Sequence, residues 1–458
     1  MTDKTDPRKT ALFVLNILDK GHKTLDKILE DVLDQESHFA KKDRALLQAL
    51  VYGVLRWRGK IDWIIRHFSK TPLNKIDPRV FNILRLGIFQ IIYLSKIPDF
   101  AAVNTSVEIA KTCGQPWVVQ FVNGILRNVT RGYKKVPCPD LDKNPAYALA
   151  VTNSFPEWLI KKWLERFGLQ ETEALCNAIN TIPPITVRTN TLRTTREKLM
   201  KSLKGDVAKI EQTNYTPDGI CFFNPKTSIP ELKAFEDGWF QVQDEAAQLV
   251  TCLLNPQPGE IVLDACAGLG GKTGHIAQMM KNSGKLFATD NDEKRLLRLE
   301  QEMQRLGVSI VTTFSHNLNN PLNKFPANLP FIMFDRILLD APCSGLGVLR
   351  RNPDIKWTIS KRKLALYNKS QIIFLDNLAH LVKPAGVLVY AVCSMEPEEN
   401  EEVVKGFLNK NPEFVIVNNV MGLPLKAHSL VNKNGHLRTF PHLNNMDGFF
   451  SISFKRIK

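Results

Sequence analysis

The run Ile261-Val-Leu-Asp264-Ala-Cys266-Ala-Gly268-Leu-Gly270-Gly-Lys272-Thr273 decides the fold of the C-terminal half of this chain. Four apolar or small residues read as a short strand. A glycine turn follows, and a helix opens behind it. Glycines at 268, 270 and 271 permit a tight turn and let backbone approach a ligand closely. About 26 residues after Asp264, Asp290 ends the next apolar run. In doubly wound sheets an acidic residue at that point accepts hydrogen bonds from ribose hydroxyls. The glycines do not form GxGxxG, and Lys272 lacks the spacing of a P-loop, so a dinucleotide and ATP are disfavoured. S-adenosylmethionine is left as the leading ligand.

Working outward, short apolar runs at 261–265, 285–290, 336–340 and 387–392 alternate with amphipathic helical stretches. Strict alternation predicts an α/β domain, a parallel sheet with helices on both faces. Upstream, 185–190 reads as a strand and 194–203 as a basic helix, which suggests a small α/β module. The N-terminal third is helical in pattern: Leu25, Ile28, Leu29, Val32 and Leu33 share one face, as do Leu46, Leu47, Leu50, Val54 and Leu55. Asp43 is placed to cap the second of these helices. The expected domains are 1–138, 139–240 and 241–458.

The chain has 458 residues and a formal net charge of +15. Residues 1–140 hold 23 Lys+Arg against 14 Asp+Glu, so +9 of that surplus sits in the helical third. Uneven basic charge points to a polyanion-binding module beside a catalytic one. The polar N-terminus has no secretory pattern, and no apolar run is long enough to span a bilayer. The eight cysteines (113, 138, 176, 221, 252, 266, 343, 393) include no CxxC pair. A disulfide scaffold and a structural metal site are therefore disfavoured, and a cytoplasmic protein that binds no metal and no membrane is expected.

Two further runs carry chemistry. Ile337-Leu-Leu-Asp340-Ala-Pro-Cys343-Ser344 brings Asp340 and Cys343 to one strand end, and Val387-Leu-Val-Tyr-Ala-Val392-Cys393-Ser394 brings Cys393 to another. A lone buried cysteine is usually a small hydrophobe. Two Cys-Ser pairs at strand ends beside a methyl-donor loop have a chemical use. Carbon 5 of cytosine is too weak a nucleophile to accept a methyl group. A thiolate adding at carbon 6 makes it enamine-like, and a carboxylic acid near ring nitrogen 3 favours that addition. Asp340 is the natural acid. The residues alone leave either cysteine as the nucleophile.

These motifs resemble the RNA cytosine-carbon-5 methyltransferases, and within them the bacterial 16S rRNA methyltransferase B (RsmB/Sun) family. The phrases Leu50-Val-Tyr-Gly-Val-Leu-Arg56, Leu84-Arg-Leu-Gly-Ile-Phe89 and Phe121-Val-Asn-Gly-Ile-Leu-Arg-Asn128 resemble a NusB-like helical RNA-binding domain. Asn352-Pro-Asp-Ile-Lys-Trp357, Pro397-Glu-Glu-Asn400 and Asp447-Gly-Phe-Phe450 resemble the catalytic part. The resemblance implies three modules: NusB-like and all-α, ferredoxin/RRM-like α/β, and Rossmann-like class I methyltransferase. It implies that Cys266, Ala267, Gly268, Leu269, Gly270, Gly271 and Lys272 bind the cofactor, with Asp290 on its ribose and Asp340 beside methionine and base. It makes Cys393 the nucleophile and Cys343 the helper in product release. The expected partner is RNA, 16S rRNA first, and the expected state a monomer.

Three positions depart from the family pattern. Gly268-Leu269 replaces Ala-Pro, Val392 replaces a threonine, and Asn317 (or His316 in another register) replaces an acid near the adenine. Those departures motivate a rival reading, an RNA-binding assembly factor with an inactive methyltransferase domain; a third reading keeps the chemistry and moves the substrate to tRNA, because the sequence does not read out an RNA site. Candidate phosphate contacts are Arg56, Arg58 and Lys60, the basic residues of 131–135, and above all Arg350 and Arg351 beside the catalytic loop.

Overall fold

The computed structural model describes residues 6–21, 23–35, 39–322, 332–418 and 420–458. Residues 1–5 of the polar N-terminus lie outside them. The chain separates into two compact units, one of residues 1–181 with 349–358 and one of 182–348 with 359–458.

The first unit is helical: Pro7–Leu18, Leu25–Gln35, Lys41–Phe68, Pro78–Tyr93, Asp99–Lys111, Pro116–Gly132, Pro145–Thr152 and Glu157–Ile179. The apolar stripes read from the sequence form its core, with Leu25, Ile28, Leu47, Leu50 and Val54 all buried. Arg85 interrupts the most apolar helix yet is only 4 % exposed. Its guanidinium donates to both oxygens of Asp62, at 2.7 and 2.8 Å, and the paired geometry offsets the cost of burying the charge. The expected capping role of Asp43 is corrected. The helix starts at Lys41 behind Ala40, and Asp43 lies within its first turn, where a negative charge still favours the helix dipole.

Segment 349–358, distant in sequence, is stitched into this unit. The Trp357 indole N–H donates to the Leu55 carbonyl at 2.7 Å. The fully buried Lys356 ammonium donates to Asn180 Oδ1 at 2.7 Å and to the carbonyls of Ser154 and Arg56, and lies 3.7 Å from the Phe155 ring centroid. Arg56 donates to the carbonyls of Ile179, Thr181 and Arg350. Arg56 and Arg350 are therefore buried framework residues, 6 % and 2 % exposed, and not the phosphate contacts their charge suggested. An Arg beside a catalytic motif reads the same whether it faces solvent or a helix end.

The second unit holds two sheets. The smaller is antiparallel, in the order β2 (Lys209–Gln212), β3 (Gly219–Phe223), β1 (Ile185–Thr189), β4 (Phe240–Val242). Helix Arg196–Leu203 packs on it through Leu199 and Leu203, against Val187, Ile220, Phe222 and Phe240. The larger sheet runs β10 (Phe414–Ile416), β12 (Phe450–Arg456), β9 (Val382–Val392), β8 (Phe334–Asp340), β5 (Ile261–Asp264), β6 (Lys285–Asp290), β7 (Val311–Ser315), with β11 (Leu437–Arg438) beside β12. Strands β5 to β9 are parallel. β12 pairs antiparallel with β9, so the sheet is mixed and not all-parallel as alternation suggested. The chain runs outward from β5 through β6 to β7, then returns to β8 on the other side of β5. The topological switch point therefore lies between β5 and β8, where open α/β sheets bind ligands beyond the strand ends.

Candidate active site

The glycine turn leaves β5 at the switch point. Gly268 and Gly270 have φ of +56° and +85°. A Cβ at Gly270 would stand 2.9 Å from Leu299 Cγ, so both conformation and space demand glycine there. Beside Gly268 and Gly271 the space is open for at least 4 Å. Behind the turn, buried Asp264 accepts from the Thr273 hydroxyl at 2.7 Å through Oδ2, while Oδ1 has no protein partner. Burial pushes the Asp264 carboxyl up to about 7.

Asp290, at the end of β6, accepts the Gly268 amide at 3.0 Å through Oδ2 and the Asp292 amide at 3.0 Å through Oδ1. Each oxygen keeps a second lone pair. The sequence thus placed Asp290 beside the turn, and the turn itself is what it holds. Among the candidate residues, Ala267 is buried, Cys266 half-buried and Leu269 exposed. Burial holds the Cys266 thiol well above its ordinary range, so it stays protonated. Asn317 lies on the exposed turn after β7, and its Oδ1 accepts from Asn319 N and Nδ2. His316 is tied to Asp290 through its backbone amide, at 3.0 Å to the Asp290 carbonyl.

Across the switch point, Lys272 Nζ donates to Asp340 Oδ2 at 2.5 Å. Burial disfavours the Lys272 ammonium, but Asp340, with Asp264 and Cys393 adding to it, raises its pKa overall. The candidate residues at the start of helix Gly271–Met279 and at the end of β8 are therefore in direct contact. Cys343 and Cys393, from the loops after β8 and β9, meet with their sulfurs 3.2 Å apart. Its hydrogen bond to Cys393 and its burial push the Cys343 thiol well above its ordinary range.

One residue had no role assigned from sequence and organises both cysteine loops. Glu399 lies on the turn Pro397–Glu399 and is fully buried. Its Oε2 accepts the hydroxyls of Ser344 and Ser394, both at 2.5 Å. Its Oε1 accepts the Ser344 amide at 2.7 Å and Gln371 Nε2 at 3.2 Å. Burial raises its pKa while these donors lower it. The phrase Pro397–Asn400 was visible in the sequence, but only tertiary contact shows what its second glutamate touches. A close backbone approach completes the floor: Gly448 N donates to the Gly347 carbonyl at 2.8 Å, and Gly347 N to the Cys393 carbonyl at 2.9 Å. Val392 is fully buried in the core between the sheet and its helices.

Comparisons with known proteins identify the family and its domains. A family model described as 16S rRNA methyltransferase RsmB/F matches residues 251–455. A NusB family model matches 5–131, and a RsmF/B-like ferredoxin-like domain model matches 155–228. The chain is 36 % identical over 455 residues to a probable ribosomal RNA small subunit methyltransferase B of Bacillus subtilis, covering 99 % of each chain. It is 34 % identical over 453 residues to the protein of the same description from Synechocystis, covering 98 % of this chain and 99 % of that one. The crystal structure of PH0851 aligns over 99 % of both chains with a TM-score of 0.80 and 27 % identity. No helix among the described residues is long and apolar enough to cross a membrane. With a NusB domain, a ferredoxin-like domain and a C-terminal methyltransferase domain in that order, the chain belongs to the 16S rRNA methyltransferase RsmB/F family.

Proposed function

We propose that this protein transfers a methyl group from S-adenosylmethionine to carbon 5 of a cytosine in RNA, 16S rRNA being the expected substrate, through a covalent cysteine–cytosine adduct. The observation that carries the reading is the pair of sulfurs 3.2 Å apart at strand ends beside the Lys272–Asp340 ion pair. The open space beside Gly268 and Gly271 and the unpartnered Asp264 Oδ1 fit a polar cofactor in the turn. When bound, that cofactor supplies an electrophilic methyl group.

The chain's own residues supply the rest. Cys393 is the nucleophile. Cys343 lies beside it, its thiol pushed well above its ordinary range by their hydrogen bond and by burial. The thiolate adds at carbon 6 while Asp340, at the switch point and in its protonated form, donates a hydrogen bond or proton to ring nitrogen 3 and takes it back when the adduct breaks down. Carbon 5 then takes the methyl group. A base removes the carbon 5 proton, the carbon 6–sulfur bond breaks, and Cys343 assists this release. The target base has to leave its stack to reach the two thiols, at a cost of a few kcal/mol that Lys/Arg contacts to RNA phosphates offset. The homologues' name as small-subunit rRNA methyltransferases supports rRNA over tRNA.

Bisulfite sequencing of total RNA from cells with and without the protein tests the reading. One 16S cytosine that loses protection on deletion, and regains it with wild type but not with Cys393→Ala, is the expected result. An unchanged 16S pattern with a lost tRNA signal moves the substrate, and no change in any RNA supports the inactive assembly factor.

A further inference from the structure

The cofactor turn is held from behind by the smaller sheet. Arg188, on β1, is 1 % exposed. Its guanidinium donates to the Gly271 carbonyl at 3.0 Å, to Gln241 Oε1 at 2.9 Å, to Gln278 Oε1 at 3.2 Å and to Gln243 Oε1. Gln241, on β4, in turn donates to the Gly270 carbonyl at 3.3 Å. Two neighbouring strands of the smaller sheet thus reach the two carbonyls at the start of helix Gly271–Met279. The approach is close. A Cβ at Gly274 would meet Gln241 Oε1 at 3.0 Å and Arg188 Nη2 at 3.4 Å. Burial pulls the guanidinium down to about 9, so it keeps its charge at neutral pH.

In a trans peptide the carbonyl and the amide N–H point in opposite directions. Fixing the carbonyls of Gly270 and Gly271 therefore fixes the amides of Gly271 and Lys272. Those amides belong to the first helical turn and have no intrahelical partner. At a helix N-terminus such amides favour an anion. S-adenosylmethionine carries one carboxylate, on its methionine end.

We propose that Arg188, acting with Gln241, is a positioning residue of the cofactor site: it sets the peptide planes of Gly270 and Gly271 so that the following amides receive the methionine carboxylate. The smaller sheet is then part of the cofactor site's rear wall as well as a covering module. The inference rests on the proposed use of S-adenosylmethionine.

Two ligands separate a positioning role from general support. S-adenosylhomocysteine carries the amino-acid carboxylate, and 5′-methylthioadenosine lacks it. Calorimetry on the full-length protein gives both affinities. Arg188→Met is expected to weaken S-adenosylhomocysteine by about tenfold or more, and methylthioadenosine by less than about twofold. Gln241→Met, which removes the donor to the Gly270 carbonyl and leaves Arg188 in place, shifts the ratio in the same direction and answers the question if Arg188→Met does not fold. Equal losses for the two ligands, or no loss for either, overturn the proposal. A wild-type protein that binds neither ligand overturns the cofactor reading and this inference with it.

Discussion

Cys343 Sγ and Cys393 Sγ stand 3.2 Å apart although 50 residues separate them in the chain. Under the proposed mechanism the contact divides the labour: Cys393 attacks, and Cys343, whose thiol is pushed well above its ordinary range by its hydrogen bond to Cys393 and by burial, assists release. Removing either thiol should therefore fail at a different step. Cys393→Ala is expected to form no covalent complex with RNA and to lose methyl transfer. Cys343→Ala is expected to form the complex and release it slowly. Denaturing gels of protein incubated with S-adenosylmethionine and 16S RNA read the difference as a slow-migrating band present only for Cys343→Ala. The opposite pattern reverses the assignment of nucleophile and helper.

Glu399 fixes that geometry. Its Oε2 holds both serine hydroxyls that follow the two cysteines, and its Oε1 holds the Ser344 amide. In Glu399→Gln the amide keeps one acceptor and turns an NH2 toward the hydroxyls, which then lose theirs. Loss of the two hydroxyl hydrogen bonds to the carboxylate corresponds to about tenfold or more in rate. The expected outcome is a single-turnover methyl-transfer rate lower by about that factor, with S-adenosylhomocysteine affinity within about twofold of wild type. A full wild-type rate would show that the loops hold themselves.

The glycine turn, Asp290 and the two Cys-Ser runs were legible because each is a local signal: a turn conformation, a strand end, a short motif. The mixed sheet was less so. β12 alternates apolar and polar residues, Phe450-Ser-Ile-Ser-Phe454, where its parallel neighbours are nearly continuous apolar runs, but that pattern does not name β9 as its antiparallel partner. Glu399, Arg188 and Gln241 were silent because their roles exist only once distant segments meet. Arg350 misled for the same reason. Charge is written in the sequence, whereas its burial in the helical unit, with its carbonyl on Arg56, is not.

Asp264 gives the stability a pH dependence. Its carboxyl titrates near 7 in the folded protein against an ordinary value of 3.8, because burial disfavours the charged form. Between about pH 4 and pH 7 the native state holds a proton that the unfolded chain has released, so stability falls as pH rises through that window. Asp264→Asn removes the titrating group and keeps an acceptor for Thr273. Thermal unfolding at pH 5 and pH 7.5 should show a larger loss for wild type than for Asp264→Asn. Equal losses would mean that Asp264 is charged throughout.

Salt dependence separates framework cations from RNA contacts. Arg131, Lys134 and Lys135 are exposed at the end of helix Pro116–Gly132 and the turn after it, in the part of the chain that carries the +9 surplus. Each phosphate contact steepens the fall of log affinity with log salt by about 0.7 to 0.9. Replacing all three by alanine is expected to weaken RNA binding and flatten that slope by about 2, with the melting temperature unchanged. Lys356→Met acts in the opposite way. It removes the cation that joins Asn180, Ser154 and Arg56 inside the helical unit. A loss of about 2 to 4 kcal/mol in stability follows from leaving those acceptors unpaired, with no change in salt slope. Filter binding of 16S RNA fragments across a potassium chloride series, paired with thermal unfolding, measures both. A triple variant with an unchanged slope would move the RNA-contacting face elsewhere on the protein.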